Sequence, residues 1–568
     1  MGDVPAMTRT LRTLLIANRG EIACRIARTA RGLGIATVGV ASDADVDAAH
    51  VRAMDAVVRI GGESAASSYL RVDAIVEAAL RSGADAVHPG YGFLSESAAF
   101  ARAVEAAGLV WVGPPPEAME ALGAKASARQ VAASLGVPVV PGFDAADDAD
   151  ALRAAAVAIG VPLMVKASAG GGGRGMRRVD DLSTLDEVLA SARREAEASF
   201  GDGRLLLERY VERPRHVEVQ VLADAHGTVW TLGERDCSVQ RRHQKIVEEA
   251  PSPAVGPGVR ARLQQAATVL ARHVGYRGAG TFEFLLSGDD VYFLELNARL
   301  QVEHPVTEAV TGVDLVALQI AVAEGERLDA LGPPPGLIGH AIEVRLCAED
   351  PRRDDRPSAG SLGLVRWPDG EGIRVDAGFF SGDAVSPHYD ALLGKIIASG
   401  PDRRTALRRL QAALRRTVAL GLATNLPLLQ AIVEDEAFAQ GDVDTSFLST
   451  RQVRERLGVA PLHLAALAAA WDLDRARAHV GLGFAFRLHG HATVVDEWAR
   501  DDAARFRLAV TPVRGGYDVM APGHTWRVAP HGGGRWEVNG VVAPLDILAP
   551  QAGADGAFEV AWHGDRGT

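Results

Sequence analysis

The chain has 568 residues, material for roughly three or four domains. With 48% hydrophobic and 23% charged residues it is neither disordered nor fibrous. A net charge of −12, with no isolated basic run, argues against a nucleic-acid backbone binder.

Of the 60 basic residues only four are lysines, Lys125, Lys166, Lys245 and Lys395; the other 56 are arginine. A coding bias toward Arg explains the ratio. The surviving lysines then mark places that need a compact ammonium. Cys24, Cys237 and Cys347 lie far apart and form no CxxC, which fits a reducing compartment better than a disulfide or zinc scaffold. No apolar run reaches the ~18 residues of a bilayer span, and no signal-peptide core precedes the first strand. The expectation is a cytoplasmic protein with no membrane contact.

In chain order, an apolar strand at Leu14–Asn18 leads into GEIACRIARTARGLG, which has helical spacing and a Gly stop. A strand at Ala36–Val40 follows. Then come a helix near Val72–Ser82, a strand at Ala86–His88, a helix near Ser97–Ala107 and a strand at Val110–Val112. This alternation predicts a parallel sheet. The first turn reads ANRGEI and lacks G-x-G-x-x-G, so the dinucleotide fingerprint is missing where it belongs.

A smaller segment follows, with strands at Leu163–Lys166, Met176–Val179 and Leu205–Glu208 and an Ala/Glu/Arg-rich helix. The next region opens strand-rich (VEVQVLAD, TVWTLGERD, GTFEFLL, DVYFLELN) and later carries helices. The last part has one Ala-rich helix and then short strands with Gly and Pro turns. The fold class is α/β, with a Rossmann-like first domain and a small β-rich appendage. No internal repeat occurs.

Gly170, Gly171, Gly172, Gly173 and Gly175 sit between strands in ASAGGGGRGM. A Rossmann or P-loop glycine run opens a helix instead. A strand–glycine loop–strand flap can close backbone N–H groups over phosphates, whereas four consecutive glycines are costly for a plain hairpin turn. Lys166, at the end of the preceding strand, suits phosphate oxygens, and Lys125 in LGAKASAR suits them with less force. Lys245 lies in the dense polar run ERDCSVQRRHQK. Lys395, in LLGKIIA, reads equally as structural or interfacial.

Glu283 lies on one strand; Glu295 and Asn297 lie two apart on the next, across a short GDD turn. Two carboxylates and an amide oxygen on one sheet face suit Mg²⁺ better than an unpaired, half-buried acidic face. Arg299, Gln301 and Glu303 continue at period two before His304-Pro305. An Arg that grips a small anion beside a Glu that takes a proton would suit bicarbonate. Arg345, in EVRLCAED, is a further anion binder.

The motifs ANRGEIACRI, HPGYGFLSE, KASAGGGGRGM, ERDCSVQRRHQK, GTFEFL, ELNARLQVEHPVTE and GHAIEVRLCAEDP, in this order over residues 12–450, resemble biotin carboxylase, an ATP-grasp enzyme. The resemblance implies a Rossmann-like domain over 10–120, a linker and ATP-grasp lid over 121–211, a C-terminal ATP-grasp domain over 212–455 and a tail over 456–568. Lys125, Lys166, the lid glycines and Met176 would meet ATP phosphates. Glu208 and Val211 would present backbone to adenine, with His216, Gln240, His243, Leu285 and Leu294 also at the nucleotide.

By the same resemblance, Glu283, Glu295 and Asn297 would hold Mg²⁺ (or Mn²⁺). Lys245, Arg299, Gln301, Val302, Glu303 and Arg345 would surround bicarbonate and biotin, with Tyr91 nearby. Catalysis would fall to Glu303, Lys245, Arg299 and Arg345. Glu303 would be general base on bicarbonate, carboxyphosphate the intermediate, and Arg345 the stabiliser of the biotin enolate. Two positions depart from the family pattern: Ala124 stands in place of Asp, and Arg209 in place of a Lys that can hydrogen-bond adenine.

No lysine follows Lys395, so the tail holds no biotinylation site. The expectation is therefore a biotin carrier in trans, or a longer subunit of which this chain is a truncated form; a carboxyltransferase subunit and further copies of the chain are the other expected partners. The stretches GDAVSPHYD and GDVDTSFL lean toward methylcrotonyl-type α subunits. A pyruvate or urea carboxylase-type module is the alternative within the family. A carbamoyl-phosphate-type ligase is disfavoured by RLQVEHPVTE and HPGYGFLSE, and a nicotinamide oxidoreductase by the placement of the glycines.

Overall fold

The apolar run TLLI forms β1 (Thr13–Ile16), and its neighbours by sheet position are β2 (Ala36–Ser42), β3 (Ala56–Gly61), β4 (Ala86–His88) and β5 (Val110–Trp111). All pair in parallel, in the order β3-β2-β1-β4-β5. The order reverses between β2 and β4, on either side of β1, as in doubly wound sheets. Strand β3 escapes the alternation rule because its residues Ala56–Arg59 are mostly exposed, as suits an edge. The computed structural model describes residues 10–123, 125–146, 148–168 and 176–457, and in the tail 467, 470–471, 494–499, 505–513, 515–521, 524–531, 533–548 and 559–562.

The next unit is an antiparallel sheet of β6 (Gly142–Ala146), β7 (Leu163–Ala167), β8 (Arg177–Val179) and β9 (Leu205–Arg209), in the order β6-β9-β7-β8. Helices Ala149–Ile159 and Leu185–Phe200 accompany it. Leu163, Val165, Leu205 and Leu207 alternate into its core. Residues 169–175, which include all the lid glycines, lie outside the described residues.

The large sheet runs through β10 (Arg215–Ala223), β11 (Val229–Arg241), β12 (Gln244–Ala250), β13 (Gly278–Ser287), β14 (Asp290–Asn297) and β15 (His340–Cys347). Its order is β14-β13-β10-β11-β12-β15, followed by strands Leu392–Gly400 and Ile373–Ala377. All of its ladders are antiparallel. Val217, Val219, Phe282 and Phe284 share one apolar core with Leu15, Val38, Phe100 and Trp111 of the first unit. Gly378 sits against the start of helix Gly20–Gly32, where a Cβ would lie 2.4 Å from Glu21 N. The first unit is therefore packed tightly onto the large sheet.

The described tail strands form a seven-stranded antiparallel sheet from Val494–Ala499 to Glu559–Trp562, and helical Leu467 and Ala470 pack against Leu508, Val519 and Trp536. Among the described residues no single helix is long and apolar enough to cross a membrane.

Candidate active site

One face of the large sheet carries ionisable side chains where alternation would allow apolar ones. Glu218 on β10 is the register partner of Glu283 on β13, and Glu283 is the partner of Glu295 on β14. Asn297 follows two residues later, on the same face. A β-bulge between Glu283 and Phe284 leaves Leu294 as an extra residue on β14. Such a bulge re-aims side chains, and both Leu294 and Glu295 line the same cavity.

That cavity, of about 890 Å³, lies between the four-stranded unit, the large sheet and residues Tyr389–Leu392. It gathers Lys166, Met176, Glu208 and Val211 with His216, Gln240, His243 and Lys245. Leu285, Leu294, Glu283, Glu295 and Asn297 line it too, as do Arg299, Gln301, Val302, Arg345 and Tyr91. The backbone of Lys125 begins helix Lys125–Ser134, but its side chain lies outside the described residues. Gly170, Gly171, Gly172, Gly173 and Gly175 lie wholly outside the described residues. Arg209 also lines the cavity.

Lys245 reaches the site from a tight hairpin. Arg242 and His243 both take positive φ, 48° and 64°, the backbone of a type I′ turn that fits the twist of its strands. Neither residue is glycine, so this turn is held by its surroundings. Lys245 Nζ donates to Glu218, to Glu283 Oε1 at 2.6 Å and to Glu303 Oε1 at 2.7 Å. Three buried carboxylates around one ammonium raise the Lys245 pKa well above its usual value, against the effect of burial. A point charge with three rotatable donors suits this geometry; a planar fork does not.

Glu303 is fully buried and does not line the cavity; it lies behind Lys245 and Arg345. Its Oε2 accepts from Arg345 Nη2 at 2.9 Å. Burial alone would raise its pKa, but Lys245, Arg345 and Arg235 hold it well below the carboxylate range. Glu283 is held low in the same way: burial opposes, and Lys245 and then His216 prevail. His216 Nε2 lies 2.9 Å from Glu283 Oε2, and Gln240 Nε2 donates to His216 Nδ1 at 2.9 Å. Burial lowers the His216 pKa, but Glu283 outweighs it and the net shift is upward.

Asn297 Nδ2 donates to Glu283 Oε1 at 2.8 Å, and Arg299 Nη2 donates to Asn297 Oδ1 at 2.9 Å. Arg299 is further tied to Glu96, 3.3 Å away. Glu283, Glu295 and Asn297 thus present oxygens from adjacent strands on one face, a donor set that fits Mg²⁺. Lys166 bonds to Glu208, whose other oxygen accepts from Arg129 Nη1 at 2.6 Å. Lys395 is fully buried rather than interfacial; its Nζ donates to Val302 O at 2.8 Å and lies 3.1 Å from Glu21. Glu21 in turn accepts from the Tyr91 hydroxyl.

Three groups escape the motif reading. Glu218 was visible in VEVQVLAD as an acid alternating with valines, the same signal that marks Glu283. Glu96 and Arg129 end the quoted stretches HPGYGFLSE and LGAKASAR, but nothing local gives them a role, because their partners are 203 and 79 residues away in sequence.

Three families match the chain: the biotin carboxylase N-terminal domain over residues 10–119, the carbamoyl-phosphate synthase L chain ATP-binding domain over 124–331, and the biotin carboxylase C-terminal domain over 343–450. A biotin carboxylase of Nostoc sp. is 48% identical over 77% of this chain and 98% of its own length. The mitochondrial methylcrotonoyl-CoA carboxylase α subunit of Glycine max is 48% identical over 77% of this chain; the match spans 60% of that subunit's length. Among solved structures, the biotin carboxylase domain dimer of Hydrogenobacter thermophilus 2-oxoglutarate carboxylase, in complex with MgADP, ADP and bicarbonate, superposes with a TM-score of 0.77. It is 41% identical and covers 80% of this chain and 100% of that one. The chain belongs to the biotin carboxylase family.

Proposed function

We propose that the chain carboxylates biotin with bicarbonate and ATP, the first half-reaction of an acyl-CoA carboxylase. The observation that carries this reading is Glu303, a buried carboxylate held between Lys245 and Arg345 directly behind a cavity that also bears nucleotide-site side chains. Bicarbonate is a small anion with one proton to lose. Arg299, Arg345 and Lys245 supply the positive field for it, and Glu303 supplies the base.

In the resting site Glu303 is a weak base, because its cations are committed to it. A bound bicarbonate competes for Lys245 and Arg345, and Glu303 regains basicity as they turn toward the new anion. The deprotonated bicarbonate attacks the ATP γ-phosphate and yields carboxyphosphate and ADP. Carboxyphosphate decomposes to CO₂ and phosphate; the phosphate takes the ureido proton of biotin, and the ureido nitrogen captures CO₂. Arg345 faces the cavity and stabilises the enolate charge on biotin. Lys166, held by Glu208, meets the phosphates, and Lys125 with the lid glycines completes that contact. Glu283, Glu295 and Asn297 would hold Mg²⁺, which when bound would offset charge on the phosphate oxygens.

Biotin arrives on a carrier outside these 568 residues, since none of residues 396–568 is a lysine. A carboxyltransferase and further copies of the chain complete the proposed assembly. The thiols Cys24, Cys237 and Cys347 are unpaired, which fits a reducing, cytoplasmic setting. Incubation with ¹³C-bicarbonate, ATP, Mg²⁺ and biotin should give carboxybiotin with a ¹³C carboxyl group bonded to the ureido nitrogen; unlabelled biotin alone would refute the reading.

A further inference from the structure

Behind the base lies a second pair of acids. Glu248 on β12 and Glu343 on β15 are direct cross-strand partners. Both are buried, at 1% and 0% exposure. Opposed side chains of this kind have Cβ atoms about 5 Å apart. Glu248 Oε1 accepts from Arg345 Nε at 2.6 Å, while Arg345 Nη2 reaches on to Glu303. Among the described residues Glu248 Oε2 and both oxygens of Glu343 make no hydrogen bond. Two buried carboxylates on directly opposed side chains disfavour each other's ionisation.

We propose that Glu248 and Glu343 hold one proton between them and act as positioning residues for Arg345. Glu248 carries the single negative charge that fixes the guanidinium plane, and Glu343 is the neutral acid that donates to the remaining Glu248 oxygen. Arg345 is then matched by two carboxylates rather than three, and it keeps an edge for the cavity.

The surroundings agree. Glu343 is faced by Glu248 from β12, Arg345 on its own strand, Lys395 from the neighbouring strand and Glu303 before helix His304–Thr311. Cys237 on β11 adds no charge, because burial raises its thiol pKa. His304 opens the helix and is kept neutral by burial. Of the cations that face the pair, Arg345 is committed to Glu248 and Glu303, Lys245 to Glu218, Glu283 and Glu303, and Lys395 to Val302 O and Glu21. Burial raises the Glu343 pKa well above the usual carboxylate value, and Glu248 is pushed up to about 7, again chiefly by burial.

This inference rests on the reading of Arg345 as a substrate-facing residue, but two of its tests do not involve activity. An acid with a raised folded pKa lowers stability progressively as pH rises above its unfolded value near 4.5. Glu343→Gln and Glu343→Met should therefore melt at or above the wild type near pH 8, and the gap should narrow toward about pH 5. Difference infrared spectra near neutral pH should show a protonated carboxylic acid band that Glu343→Gln removes. Both variants melting below the wild type near pH 8, or no such band, would overturn the shared proton.

Glu248→Gln tests the positioning. It should lower the biotin-dependent kcat by at least about tenfold while the KM for ATP stays within about twofold. An unchanged kcat, or equal loss in both parameters, would contradict it. If the stability and infrared results hold while no variant or wild-type chain responds to biotin, the proposed function fails and the proton pair stands.

Discussion

Lys245 Nζ stands 2.7 Å from Glu303 Oε1, and the same ammonium also bonds Glu218 and Glu283. One ammonium therefore links the proposed base, Glu303, to the sheet face of Glu218 and Glu283. A change at either face is felt at the other through Lys245.

Glu303→Gln keeps the shape and the hydrogen-bonding capacity but removes the base. Biotin-dependent ADP formation should fall by at least about a hundredfold. Nucleotide affinity, measured by calorimetry, should change less than about threefold, since Glu303 does not line the cavity. A parallel loss of ATP binding would show that Glu303 is not the base.

Lys245→Gln leaves Glu218, Glu283 and Glu303 without their shared cation. Denaturant unfolding should show a loss of about 3 kcal/mol or more, as for other broken buried ion pairs. Lys245→Arg should not restore the wild-type rate, because one planar fork cannot serve three carboxylates on different strands. Full rescue by Arg would mean that charge alone matters there.

Glu295→Gln replaces one of the two carboxylates in the proposed donor set on the β13–β14 face by a neutral, weaker amide oxygen. The Mg²⁺ concentration for half-maximal rate should rise by at least about tenfold, since even outer-shell losses have effects of that size. An unchanged Mg²⁺ titration would remove Glu295 from the metal set.

Glu249 lies on the opposite side of β12 from Glu248, and it accepts from Arg403 Nε at 2.6 Å, with His340 Nε2 2.7 Å away. Burial opposes its charge, but His340 and Arg403 prevail and its pKa is lowered. A lowered folded pKa gives stability that is present above the unfolded value near 4.5 and is lost as pH falls through the folded one. Glu249→Gln should thus cost the most at neutral pH, and its melting curve should approach that of the wild type in acid. A gap that is constant with pH would contradict the ion pair.

The strands and the acidic face of the large sheet were legible because they rest on local patterns. Val–Glu–Val alternation and the period-two pair Glu295 and Asn297 mark a sheet face directly, whereas Arg299, Gln301 and Glu303 continue the period beyond the strand, which ends at Asn297. The bulge at Leu294 was not legible, since one extra residue leaves no trace in composition. Neither was the position of Glu303 behind the cavity wall, because period two puts it with Arg299 and Gln301 and the turn into helix His304–Thr311 then carries it inward. Lys395 was ambiguous for a related reason: its partners, Val302 O and Glu21, are contributed by segments 93 and 374 residues away. The Glu248–Glu343 pair depends on β12 meeting β15, a contact between strands 95 residues apart that no motif announces.

The most direct measurement is ADP release by the purified chain in ATP, Mg²⁺ and bicarbonate, with and without free biotin. The account predicts that biotin stimulates release, that omission of bicarbonate abolishes the stimulation, and that Glu303→Gln does the same. ADP release that ignores both biotin and bicarbonate would contradict it.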